Sequence, residues 1–273
     1  MSPVARRPIG AASSSLAGGR CCIRGIVTLA QVIVGKYEDT VAEREEALVS
    51  LTAYIAEHRL AAFPEVVAVR DFDAGLSVIL QAHSLGPLKP NLVVLGAPAS
   101  AERAAPFGQH LRMIESMGKS MVVVLDRGLP NKAVRGDRAV RRLDIWWRGH
   151  QNGSLMVILA YLITLNWEWG RARIRILRTV TESATPEAVT LAEDEIRSLI
   201  AAARIQAEVR VLRTNDFATT LTEQSADATV VMLGFRPPRL GHEREMLKGI
   251  LHAVNGLPTT LLVSSSGDAD VFA

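Results

Sequence analysis

The feature that most constrains this sequence is that it repeats itself once. The run VVAVR, ending at Arg70, leads to Asp71-Phe72, a helix-length segment and the apolar run NLVVLG ending at Gly96. About 140 positions later, VRVLR leads to Asp216-Phe217, another helix-length segment and ATVVMLG ending at Gly234. Each copy continues through a further helix into one more apolar run, MVVVLD or TTLLVS. A repeat of this length is a duplicated α/β unit, not a solenoid turn, so the two halves are expected to share a fold.

Strand-like runs extend from Gly25–Val34 to Thr259–Ser264 and alternate with helix-length amphipathic segments. Several are continuously apolar, the pattern of strands covered on both faces in a parallel sheet. The fold class expected is α/β, as two tandem Rossmann-like units with mainly parallel sheets. Thr40 and Glu43 have the spacing of a capping box, ahead of a stripe of Leu48, Leu51 and Ile55. Thr185-Pro186 predicts a capped helix start, with Val189, Ala192, Ile196, Leu199 and Ala203 as its buried stripe.

The expected organisation is a low-complexity segment over 1–20, a first α/β unit over 21–127, a basic linker over 128–141 and a second unit over 142–273. The stretch Arg127 to Arg142 that spans this linker, RGLPNKAVRGDRAVRR, carries Gly, Pro and little apolar content, so it reads as solvated. Arg135, Arg138, Arg141 and Arg142 are candidate contacts for anionic lipid, phosphate or an acidic partner surface. The longest apolar run, Ser154 to Leu165, falls well short of the ~20 residues that span a bilayer. The N-terminus lacks the apolar stretch of a secretory signal, and the two cysteines, Cys21 and Cys22, form no disulfide framework, so a cytoplasmic setting is expected. A net charge of +3 with no aromatic-interleaved basic stripe gives no reason to expect nucleic acid.

Open parallel sheets bind ligands beyond the carboxyl ends of their strands, so chemistry is sought there. Gly96 is followed by Ala97-Pro98-Ala99-Ser100, and Gly234 by Phe235-Arg236-Pro237-Pro238. Prolines remove N–H donors where a phosphate would need them. Gly96, Ser100, Gly234 and Arg236 are therefore only weak candidates for a nucleotide crevice. No P-loop or dinucleotide fingerprint occurs, and none of the six histidines has metal-ligand spacing. Asp71 and Asp73 sit at a strand-to-helix junction and read as capping residues. No nucleophile stands in a recognisable motif with a base. No enzyme activity, cofactor or metal is expected.

The most distinctive string is Leu143-Asp-Ile-Trp-Trp147. Two adjacent tryptophans on a strand, Trp146 and Trp147, point to opposite faces, each able to seat a helix or to meet a partner. Arg171, Arg173 and Arg175 then alternate along a strand, marking a face that is exposed or meets an acidic partner.

These segments carry a resemblance. The tryptophan strand, its Gly-x-Leu helix start and the following Ile-Arg-Ile resemble the second half of the C-terminal cytosolic domain of cation–chloride cotransporters. Lys89–Gly96, Gly25–Gly35 with Ala42–Glu46, and Leu257–Val263 are similar to other segments of that domain, in the same order. The resemblance covers the chain from about Gly18 onward. It implies two universal-stress-protein-like units acting as a regulatory, dimerising module beneath a membrane transport domain that moves chloride with sodium or potassium. It implies a homodimer at the inner face of the membrane. The chain departs from the pattern in having Asn152-Gly-Ser-Leu155 where the family has an acidic turn. It also offers no equivalent, within residues 1–20, of a strand expected ahead of Gly25, so the first half is expected to be the less stable. The alternative is a stand-alone universal-stress-protein-like nucleotide binder.

Overall fold

The computed structural model describes residues 26–82, 90–98, 100–129 and 140–267. The first half runs β1 (Val27–Val34), α1 (Val41–Glu57), β2 (Ala62–Val69), α2 (Phe72–Ala82), β3 (Leu92–Gly96), α3 (Ala104–Ser116) and β4 (Ser120–Leu125). The second runs β5 (Arg142–Trp146), α4 (His150–Thr164), β6 (Arg173–Val180), α5 (Pro186–Ala202), β7 (Ala207–Arg213), α6 (Phe217–Ser225), β8 (Val230–Gly234), α7 (Glu243–Ala253) and β9 (Thr259–Ser264). The α/β class with mainly parallel pairing is as the sequence leads one to expect.

Seven strands form one sheet in the order β3-β4-β9-β8-β5-β6-β7, and β1 pairs with β2 in a separate two-stranded sheet. Every pair is parallel except β4–β9, which is antiparallel and joins the two halves edge to edge. β4 and β9 are buried at every position, which is why their sequences are apolar but for serine and threonine at their ends.

Three cores result. One lies beneath α4 and α5 and includes Trp147, Trp169 and Ile176. One lies on the opposite face of the large sheet, beneath α2, α3, α6 and α7, and includes Leu76, Leu111 and Trp146. The third is small: Leu29, Ile33, Ala47, Leu51 and Val66, between α1 and the two-stranded sheet.

Local signals hold in some places and fail in others. The Thr185 hydroxyl accepts from the Ala188 N–H, and Pro186 opens α5, as expected. Thr40 does not cap α1: its hydroxyl donates to the carbonyls of Lys36 and Tyr37, which close a short 3-10 turn just ahead of the helix. The buried face of α1 is rotated from the expected stripe as well, with Ala47 inside and Leu48 40% exposed.

Candidate functional site

The mouth at Gly234 is assembled from the ends of β8 and β9 and the first turn of α4. Asn152 Nδ2 donates to the Phe235 carbonyl at 3.1 Å, and Asn152 Oδ1 accepts from the Ser265 N–H at 2.9 Å. Gln151 Nε2 donates to the Ser265 carbonyl at 2.9 Å. A Cβ on Gly234 would sit 3.0 Å from Asn152 Nδ2, so glycine is what lets this amide approach. The first turn of α4 is thus pinned across both strand ends, and the Ser265 N–H is engaged by Asn152. Arg236 is exposed on the loop beyond.

The mouth at Gly96 differs. Among the described residues nothing lies within 4 Å of the Cβ position of Gly96. The Ala97 N–H donates to the Val124 carbonyl at 2.9 Å, and the carbonyl of the exposed Ser100 accepts from the Arg103 N–H. Gly96 and Ser100 therefore flank an open strand end, while Gly234 and Arg236 flank a bridged one.

Trp146, the last residue of β5, and Trp147, just beyond it, are 1% and 3% exposed, in the cores on opposite faces of the sheet. They pack; they offer no exposed surface to a partner. Trp146 stands edge-on to Phe217, and its Nε1 donates to Ser225 Oγ. Gly153 faces the Trp147 ring so closely that a Cβ would collide with it.

Beside Trp146 lies a fully buried carboxylate that the sequence reading missed. Asp144 accepts from Arg175 Nε at 3.1 Å and Nη2 at 2.6 Å, from Arg142 Nε at 3.1 Å and from Ser225 Oγ at 2.8 Å. Asp144 and Arg175 stand side by side in the β5–β6 register. Of the alternating arginines, Arg171 and Arg173 are exposed, whereas Arg175, only 5% exposed, finds an internal acidic partner in Asp144. Arg142 turns inward to the same group. Arg141 lies with its guanidinium 4.5 Å from the Trp169 ring centroid and 3.7 Å from Glu168. Arg135 and Arg138 lie outside the described residues, as do Cys21 and Cys22.

The halves also meet through α3 and α7. At Gly108 of α3 a side chain would run into Glu243 and Pro238, so the glycine permits close helix contact. Arg112 bonds Glu243 there and reaches the Pro238 carbonyl at 3.4 Å. The Glu243 carboxyl is held below the usual carboxylate range, chiefly by its own backbone N–H at the start of α7, with Arg112 adding to the effect. Asp216 is lowered by Thr219, whose hydroxyl and N–H it accepts in capping α6. Asp71 caps α2 in the same way through the Ala74 N–H, and Asp73 bonds His110. These are carboxylates at work in caps and ion pairs. Among the described residues no three His, Cys, Asp or Glu side chains gather as metal ligands, and no helix is long and apolar enough to cross a membrane.

A family model described as Solute carrier family 12 matches residues 20–101. The chain is 25% identical over 198 residues to Cation-chloride cotransporter 2 of Oryza sativa subsp. japonica, and 25% over 195 residues to Cation-chloride cotransporter 1 of Arabidopsis thaliana. Each match covers 69% of this chain and 19% of the relative, so the chain spans about a fifth of the length of these curated relatives. The fold is similar, with a TM-score of 0.62 at 16% identity, to the cytoplasmic domain of a prokaryotic cation chloride cotransporter, over 91% of this chain and 88% of that one. The resemblance to cation–chloride cotransporters is therefore found in sequence, and the fold is similar to that of the cytoplasmic domain of a prokaryotic one.

Proposed function

We propose that this chain is a non-catalytic regulatory and dimerisation module, acting at the inner face of the membrane on a transport domain that moves chloride with sodium or potassium. It works through its surfaces and the stiffness of its sheet. The observation that carries the reading is the Asn152 bridge: the strand-end mouth at Gly234 is tied shut by the protein's own amide, so its donors and acceptors fasten a helix. Likeness to cotransporters in sequence and in fold supplies the partner. Two tandem halves sharing one sheet suit a plate that relays contact from one edge to the other.

The test is transfer. Placed after the membrane domain of a prokaryotic cation–chloride cotransporter in proteoliposomes, in lieu of that protein's own cytosolic domain, this chain is expected to restore control of chloride-dependent cation uptake. Uptake identical to that of the bare membrane domain rejects the regulatory role. Sedimentation equilibrium is expected to show a dimer, and a monomer at every concentration removes the dimerisation role.

A further inference from the structure

β7 is an outer strand of the seven-stranded sheet, paired with β6 and with no second strand among the described residues. Along AEVRVLR, Ala207 and Val209 pack against the core beneath α5, while Glu208 and Arg210 stand exposed on the other face. The Glu208 and Arg210 side chains are each 50% exposed, and they bond each other over a step of two residues. The edge therefore carries one acid and one base, on the same face, either side of Val209.

The backbone fixes which residues pair outward. The Thr214 N–H donates to the Val180 carbonyl of β6 at 2.9 Å. Main-chain groups alternate sides along a strand, so those of Leu212, Arg210 and Glu208 also turn toward β6, and those of Ala207, Val209 and Val211 face out of the sheet. A second β7 meeting this edge about a two-fold axis runs antiparallel, and opposed residues share a face, so the axis passes through a residue. With the axis at Glu208, carboxylate opposes carboxylate; at Arg210, guanidinium opposes guanidinium. Both are repulsive. With the axis at Val211, Glu208 meets Thr214 and Arg210 meets Leu212, and neither charge finds a counter-charge. With the axis at Val209, each Glu208 stands opposite Arg210 of the partner subunit, and the match is complete.

We propose that β7 is the seam of the dimer, joining two copies antiparallel about Val209 into one continuous sheet. The inference rests on the dimerising role proposed above and names its surface. Ala207, Val209 and Val211 then exchange main-chain hydrogen bonds with their counterparts, and Glu208 and Arg210 occupy the non-hydrogen-bonded pairs, where side chains lie closest. Charge on an edge strand ordinarily keeps other strands away. Here the acid and the base are ordered so that they oppose shifted registers and favour one, which guards the edge and selects its partner together. A strand that meets acid with base and base with acid while running antiparallel is a second β7, and that makes a copy of this chain the occupant.

The test is a charge swap in the full chain, followed by sedimentation equilibrium and residue-resolved hydrogen exchange. Glu208→Arg leaves only bases on the seam and Arg210→Glu only acids, and each alone is expected to weaken self-association about a hundredfold. Their equimolar mixture is expected to associate about as tightly as the parent, since one strand then supplies only bases and the other only acids. The Val209 and Val211 amides are expected to gain about tenfold protection on association of the parent and in the mixture, and none in either variant alone. Both substituted side chains are half-exposed, so the thermal midpoint of the dissociated chain is expected to stay that of the parent. A parent dimer that both variants retain, or a mixture no tighter than its components, overturns the seam and leaves dimerisation to another surface. A parent that is a monomer at every concentration overturns the seam and the dimerising role together.

Discussion

The second half closes its own sheet around a central strand, whereas the four described strands of the first half divide between two sheets. β3 and β4 lean on the second half through β9, while β1 and β2 share a small core of their own with α1. A duplicated sequence can therefore yield unequal folding units: apolar periodicity forms the elements, but a central strand unites them. The surface reflects this. α1 and α5 have equal length, yet Leu48 and Val49 of α1 are 40% and 69% exposed, where α5 places Glu193 and Asp194.

The contrast can be broken most forcefully at Asp144. Asp144→Ala leaves Arg175 buried without its counter-charge and is expected to cost about 3–5 kcal/mol, read as a lower urea midpoint of the second half. Leu51→Ala opens the small core and is expected to cost about 2–4 kcal/mol. Its signature is loss of exchange protection in β1, β2 and α1 with β5–β9 unaffected; a single shared transition for the whole chain would erase the distinction between the halves. Asn152→Ala removes both amide bonds at the Gly234 mouth, with an expected loss of about 1–3 kcal/mol measured by thermal denaturation. The smallest effect is on acidification. Because Glu243 is lowered in the fold, its contribution is complete above the ordinary carboxylate range and declines as pH falls through its depressed pKa. Stability of the α3–α7 contact should fall on that acid limb, and Glu243→Gln should flatten the fall.

Much of this was legible in the residues. The nine strands among the described residues stand where strand-like runs lie between turn signals, clearest where burial on both faces demands apolar residues, as in the VVV of β4. The Asp71 cap was legible too, since capping acts over three residues, whereas Asp73, read as a second cap, bonds His110 instead. Long-range pairings were not. Asp144 and Arg175 face each other only because β5 and β6 are in register, and that register follows from packing. Nor does the proline-containing loop after Gly234 tell that Asn152, far along the chain, would bridge the mouth. The Thr40 box failed for a local reason: the hydroxyl had a nearer use in the turn before the helix.

The antiparallel seam between β4 and β9 has a geometric outcome. Strand direction reverses there, so the loops after Gly96 and those after Gly234 emerge at opposite rims of the plate. A body resting on one rim leaves the other free for a second contact, and the rigid ladder between them can carry a tilt from one to the other.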